Sequence, residues 1–268
     1  MIRTVFTKSL WDRRRSIVWW NVGMAALAAI TVAFVPSIRN DAAQFEALFE
    51  SLPEGLLSVF GVSDTASLVT ATGFINSRLY TGIGPVIVAV LGISLGTAAV
   101  AGEEDRGTMD LLLAQPVTRT RLVLEKSGAA VVLISLVALM LFITLIIANP
   151  VVDLGLGIEH MLAANVGLAL FALVFFGFSL AVGAWTGYRA MTVGVSAGLA
   201  AAAFFINGLA PLVDGLSWAQ RLSPYHWLQE PNPLANGFAW GWFSLMLVVT
   251  ATLVGIAILG FNRRDIAV

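Results

Sequence analysis

Six stretches of this chain run for 19 residues or more without an Asp, Glu, Lys or Arg: 17–35, 82–101, 129–148, 165–185, 191–212 and 238–261. As an α-helix, each rises roughly 1.5 Å per residue and so reaches about 30 Å, the thickness of a bilayer's hydrocarbon core. A soluble fold of 268 residues could not hide that apolar surface, because 58% of the residues are hydrophobic and only 12% charged, against about 25% in an ordinary soluble domain. In lipid every backbone polar group must be satisfied within the protein, which for segments of this length means helices. The expected fold class is an all-α integral membrane protein, a single transmembrane domain over 1–268 with six transmembrane helices. The first stretch is too long for a signal peptide and no small-x-small pattern follows it before Pro36, so it is expected to stay as a span. The fifth is rich in Ala and Gly and is interrupted by Asn207 and Pro211.

Charge sets the expected orientation. With the N-terminus inside, twelve of the fifteen Lys and Arg fall in inner segments and only Arg39, Arg78 and Arg221 fall outside. The net charge of −1 thus divides into a basic inner face and an acidic outer one, and basic flanks are retained in the cytoplasm. The expected location is the cell (cytoplasmic) membrane, with both termini cytoplasmic.

The connecting segments differ in kind. Within 1–16, Ile2, Val5, Phe6 and Leu10 share one helical face while Arg3, Thr7, Lys8 and Arg14 fall largely on others, which predicts an amphipathic N-terminal interfacial helix. In the outer loop 36–81, Phe45, Leu48, Phe49 and Leu52 keep helical spacing until Pro53 closes the run. Pro211, Pro224, Pro231 and Pro233, mixed with Trp218, Tyr225 and Trp227, predict an irregular or re-entrant outer segment over 207–237.

The densely charged loop 102–128, between the second and third spans, carries the functional signal. Its Met109, Leu112 and Leu113 can form one apolar helical stripe with Leu111 beside it, before Pro116 forces a turn. A short helix of that kind suits docking into a groove of a partner protein. The plain alternative is a solvated hairpin whose charges only hold topology.

The run Gly102-Glu103-Glu104-Asp105-Arg106-Gly107-Thr108, then Leu111-Leu112-Leu113-Ala114-Gln115-Pro116, Arg119 and Lys126, resembles the cytoplasmic loop of ABC-2 type ABC transporter permeases. The order of six spans, the N-terminal amphipathic segment and the Pro- and aromatic-rich outer segment extend the resemblance over most of the chain. Leu52-Pro53-Glu54-Gly55-Leu56 is similar, more loosely, to the long outer loop of the branch that pairs a short permease with a separate ATPase. The resemblance implies a coupling helix in 102–128, with Glu103, Glu104, Arg106, Gly107, Thr108, Leu111, Leu112, Leu113, Pro116 and Arg119 as ATPase-coupling residues. It also implies two ABC ATPase subunits per complex, which would bind ATP and Mg, and a second permease copy or paralogue; nucleic acid is not among the expected partners.

The residues themselves agree that any ATP is bound elsewhere. Neither Lys8 nor Lys126 follows the Gly-x-x-x-x-Gly of a phosphate-binding loop, so no cofactor is expected in this chain. An ion-coupled transporter or channel is the competing reading; the spans, however, carry none of the ionisable side chains that proton relays and charged filters retain in the membrane. Catalysis is disfavoured because the chain lacks cysteine and has only His160 and His226, with no further groups at catalytic or metal-ligand spacing. Gly194, Ala197, Gly198, Ala201 and Ala202 permit close helix approach in the fifth span, either within one chain or at a permease dimer seam. A lining of Phe, Leu, Val, Ala, Thr and Asn suits an amphiphilic or apolar substrate such as a drug, lipid or peptide; membrane lipid is also an expected partner.

Overall fold

A computed structural model of the protein describes residues 4–41, 70–213 and 215–264. Every regular element among them is helical. In chain order they are α1 (Val5–Asn40), α2 (Ala71–Ile75), a π-helical turn (Asn76–Thr81), α3 (Ile83–Ala99), α4 (Ala101–Asp105), α5 (Met109–Leu113), α6 (Arg119–Val152), α7 (Ile158–Thr186), α8 (Arg189–Leu209) with a 3₁₀ turn (Ala210–Leu212), α9 (Ser217–Gln220), α10 (Pro224–Gln229), α11 (Pro233–Asn236) and α12 (Trp240–Arg263). Six of these helical segments are long and apolar enough to cross a membrane, and they coincide with the six uncharged stretches.

The helices overrun those stretches, because polar residues continue a helix once its apolar middle is packed. Residues 5–16 are accordingly not a separate surface helix but the first turns of α1, which runs unbroken for 36 residues. Thr4 starts it with a reciprocal cap: the Thr7 N–H donates to Thr4 Oγ1 at 3.2 Å and the Thr4 N–H to Thr7 Oγ1 at 3.3 Å. At the far end α1 passes through Pro36, expected to begin the outer loop, and stops at Asn40. There Arg39 donates to the carbonyls of Val152 and Asp153 at 3.0 and 2.7 Å, tying the ends of α1 and α6 together. The expected helix around Phe45–Leu52 and the Leu52–Leu56 motif lie outside the described residues.

Helix α7 is the hub, packed against α3, α6, α8 and α12. Its contact with α3 depends on missing side chains: a Cβ on Gly92 would sit 2.3 Å from the Ala172 carbonyl oxygen, and one on Gly96 2.4 Å from that of Phe176. Thr97 and Ser179 hydroxyls meet at 2.8 Å across the same seam. Close approach of two helices through small residues is how spans associate where lipid supplies no hydrophobic drive.

Among its described residues, the outer segment 207–237 is largely helical, taking in the end of α8, the 3₁₀ turn and the short helices α9, α10 and α11. It folds back on the bundle: Ser223 Oγ donates to the Ala203 carbonyl at 2.8 Å, Asn207 Nδ2 to Gln229 Oε1 at 2.7 Å, and Gln229 Nε2 to the Thr81 carbonyl at 2.9 Å. Tyr225 inserts among Phe171, Phe175 and Phe204 with edge-on rings 4.9, 6.0 and 5.4 Å away. Burial there pushes its phenol up to about 12.

Candidate functional site

The charged hairpin grows directly out of α3. A bend at Val100 (φ −122°, ψ −68°) starts α4, which carries three carboxylates in succession. Gly107, at φ +64°, makes the reversal that a side chain would strain. Thr108 then returns to the start of the turn, its N–H on the Glu103 carbonyl at 2.9 Å and its hydroxyl on Glu103 Oε2 at 2.5 Å. The Glu-Glu-Asp-Arg-Gly-Thr order is thus a local folding instruction as well as a charge cluster.

Each of the three acids holds a different helix. Glu103, which is buried, takes Lys126 of α6 at 2.5 Å and the half-exposed Arg106 at 3.3 Å. Glu104 pairs with Arg264 just after α12. Asp105 pairs with Arg189, the first residue of α8, at 3.3 Å. Burial works against the charge on Glu103, but the Lys126 ammonium, hydrogen bonds from Lys126 and Thr108, and the Arg106 guanidinium together hold its carboxyl at about 2, below the usual 4.5.

The second limb of the hairpin is anchored as firmly. Thr118 caps α6, accepting from the Arg121 N–H at 3.2 Å. Arg119 donates to the carbonyls of Phe261 and Arg264 at 2.9 and 2.7 Å, where cations suit the C-terminus of α12. Glu125 receives Arg121 at 2.7 Å and the free Phe6 N–H of the first turn of α1 at 3.0 Å.

Of the expected coupling residues, Arg106 and Thr108 converge with Lys126 on Glu103, while Glu104 and Arg119 both reach the end of α12. Gly107 and Pro116 mark the exposed bends. Met109, Leu112 and Leu113 share one face, as their spacing predicts, but that face meets the chain's own bundle rather than a partner. Met109 and Leu112 point into the chain's own core, 2% and 7% exposed, and Leu113 is partly buried; Leu111 stands out at 70%. The apolar face of α5 seats the hairpin on its own bundle, and the outward side chain is the one the periodicity placed beside the stripe. Arg189 and Arg264 were not among the expected site residues. Their only signal in the sequence was three adjacent acids set against lone basic residues at distant helix ends.

A bundle of six apolar helices, three of which are held at one end by the carboxylates of a hairpin continuous with a fourth, defines a multi-pass membrane protein. The sequence profile described as ABC-2 family transporter protein matches residues 3–266. The chain therefore belongs to the ABC-2 transporter family, whose permeases are membrane components that work with ABC ATPases and are not themselves the ATPase. No curated protein matches it.

Proposed function

We propose that this chain is the translocating subunit of an ATP-driven exporter, that a separate ATPase docks on residues 102–128, and that the basic end of the bundle faces the cytoplasm. The observation that carries this reading is the distribution of Glu103, Glu104 and Asp105 onto α6, α12 and α8. A push on the one-turn helix α5 enters α4 directly and is handed to three spans besides α3, through charge-assisted contacts that are short and directional. A hairpin that only fixed topology would need positive charge near the membrane, not one acid for each of three helices.

Leu111, exposed beside Asp110, is the anchor offered to the partner. Two permeases, identical or paralogous, and two ATPases complete the machine, because one hairpin serves one nucleotide-binding subunit. The neutral spans suit an amphiphilic or apolar cargo. Tagged protein purified from its native membrane is expected to bring an ATP-binding chain in a two-plus-two complex and, in proteoliposomes, to export only with hydrolysable ATP. Transport by the chain alone, driven by an ion gradient, would overturn the reading.

A further inference from the structure

We propose that a cavity at the basic end of the bundle binds a membrane lipid with an anionic headgroup, the headgroup resting on Arg13 and its neighbouring arginines and the acyl chains lying along α3 and α8. The cavity holds about 700 Å³ between α1, α3, α4, α6 and α8, within the range that takes small amphiphiles. Its wall carries five cationic and two acidic side chains, an excess of three positive charges.

The acids are already engaged. Asp12 lies 3.9 Å from Lys8, and Glu103 is shared between Lys126 and Arg106. Arg189, also on the wall, uses Asp105. Arg13 is left over: it is partly buried, lines the cavity, and has no hydrogen bond or ion pair among the described residues. The charged groups that face it are Arg106, Glu103, Asp12 and Arg189. The unpaired Arg13 guanidinium, beside Arg106 and Arg189 whose carboxylates are already shared, makes a site for a phosphate, whose oxygens accept the paired donors of a guanidinium fork.

The other end of the cavity has the opposite character. Val90, Ile93 and Leu95 of α3, Leu133 of α6 and Val193 of α8 line it, with Ser94 and Thr97 between the apolar and cationic regions. Val90 and Val193 are 51% and 43% exposed, so the apolar wall is open to an acyl chain. Val193 is one helical turn beyond Arg189, which sets headgroup and chain contacts side by side along α8. A free anion would use only the cationic end and a neutral lipid only the apolar end; an anionic lipid satisfies both. This assignment needs only the fold and a bilayer, not the coupling reading above.

The test uses the full-length chain, delipidated in neutral detergent, with bound lipid counted by native mass spectrometry and affinity followed by thermal unfolding. Phosphatidylglycerol is expected to occupy one saturable site per chain, about tenfold more tightly than phosphatidylcholine, with no shift from inorganic phosphate at the same concentration. Arg13→Gln should weaken phosphatidylglycerol about tenfold, whereas Arg15→Gln, an exposed charge on the same helix, should leave it unchanged. Val193→Trp, which fills the apolar end, should also displace the lipid, and it decides the matter if Arg13→Gln does not fold. Equal binding of phosphatidylcholine, an equal effect of inorganic phosphate, equal losses from Arg13→Gln and Arg15→Gln, or undiminished binding to Val193→Trp would each overturn the proposal.

Discussion

Replacing Glu103 with Gln removes one negative charge and almost no volume, and its consequence follows from burial. The Glu103 and Lys126 side chains are 9% and 7% exposed, so bulk water screens neither. Deleting one member of such a pair strands the other and destabilises a protein by about 3–5 kcal/mol. Arg106, 51% exposed, has water as an alternative partner, and its pairing with Glu103 contributes no more than about 1 kcal/mol. Glutamine still offers an oxygen to the Thr108 hydroxyl, which confines the loss to charge. Unfolding of Glu103→Gln, Lys126→Met and the double variant in detergent at pH 7 should therefore show strong coupling, with the double variant more stable than the sum of the singles by about 2 kcal/mol or more.

The pH dependence has a definite sign. Glu103 titrates at about 2 in the folded chain and ordinarily at 4.5, so its contribution is complete above pH 4.5 and is lost as pH falls from 4.5 toward 2. That part of the acid limb should be absent from Glu103→Gln. Additivity of the two single substitutions within about 0.5 kcal/mol, or an unchanged acid limb, would refute the view that this pair fastens the hairpin to α6.

Leu111→Asp should abolish ATPase association with little change in stability, while Leu112→Ala should cost about 2–5 kcal/mol through a core cavity; co-purification and unfolding of both variants compare the two faces of α5 directly. Gly96→Leu should force α3 from α7, because even a Cβ meets the Phe176 carbonyl oxygen at 2.4 Å, and a drop in monodisperse yield on size exclusion reads this out. Cysteines at Thr118 and Arg264 should label only after permeabilisation, whereas those at Asp64, Gly155 and Asn232 should label in intact cells. Glu104→Gln should leave assembly intact but lower transport per ATP hydrolysed, because the charged tie to the Arg264 side chain is lost, leaving Arg119 to hold the end of α12; unchanged coupling in paired ATPase and transport assays counts against force passing through Glu104 to α12.

The spans were legible because absence of charge over 19 or more residues is a one-dimensional signal that lipid enforces directly. Their ends were not, since the charged turns of α1 and α6 continue the same helices and no composition rule marks where a helix leaves the membrane. In the hairpin, Gly107 and Thr108 could be recognised by pattern, and Lys126 lay in the resembling motif. The pairing of Glu104 with Arg264 joins residues 160 apart in sequence, a tertiary fact that no local spacing encodes. The spacing separated Leu112 from Leu111 but left open what the apolar face meets: a five-residue helix shows an apolar stripe without telling whether its own bundle or a partner covers it.

The two ties between α1 and α6, Phe6 to Glu125 at one end and Arg39 to Val152 and Asp153 at the other, make a lever of the pair. Their 36 and 34 residues give rods of about 54 and 51 Å, longer than the hydrocarbon core is thick. Helices tied near both ends resist sliding past each other, which favours tilting together as their response to force. Pivoted at its midpoint, a rod of this length tilted by about 5° carries its two ends about 2.4 Å in opposite directions. Lys126 sits on the basic arm of that lever, clasped by Glu103, and the far arm ends at Arg39. On the proposed coupling, a small displacement received at one membrane surface would be delivered, reversed in direction, to the other.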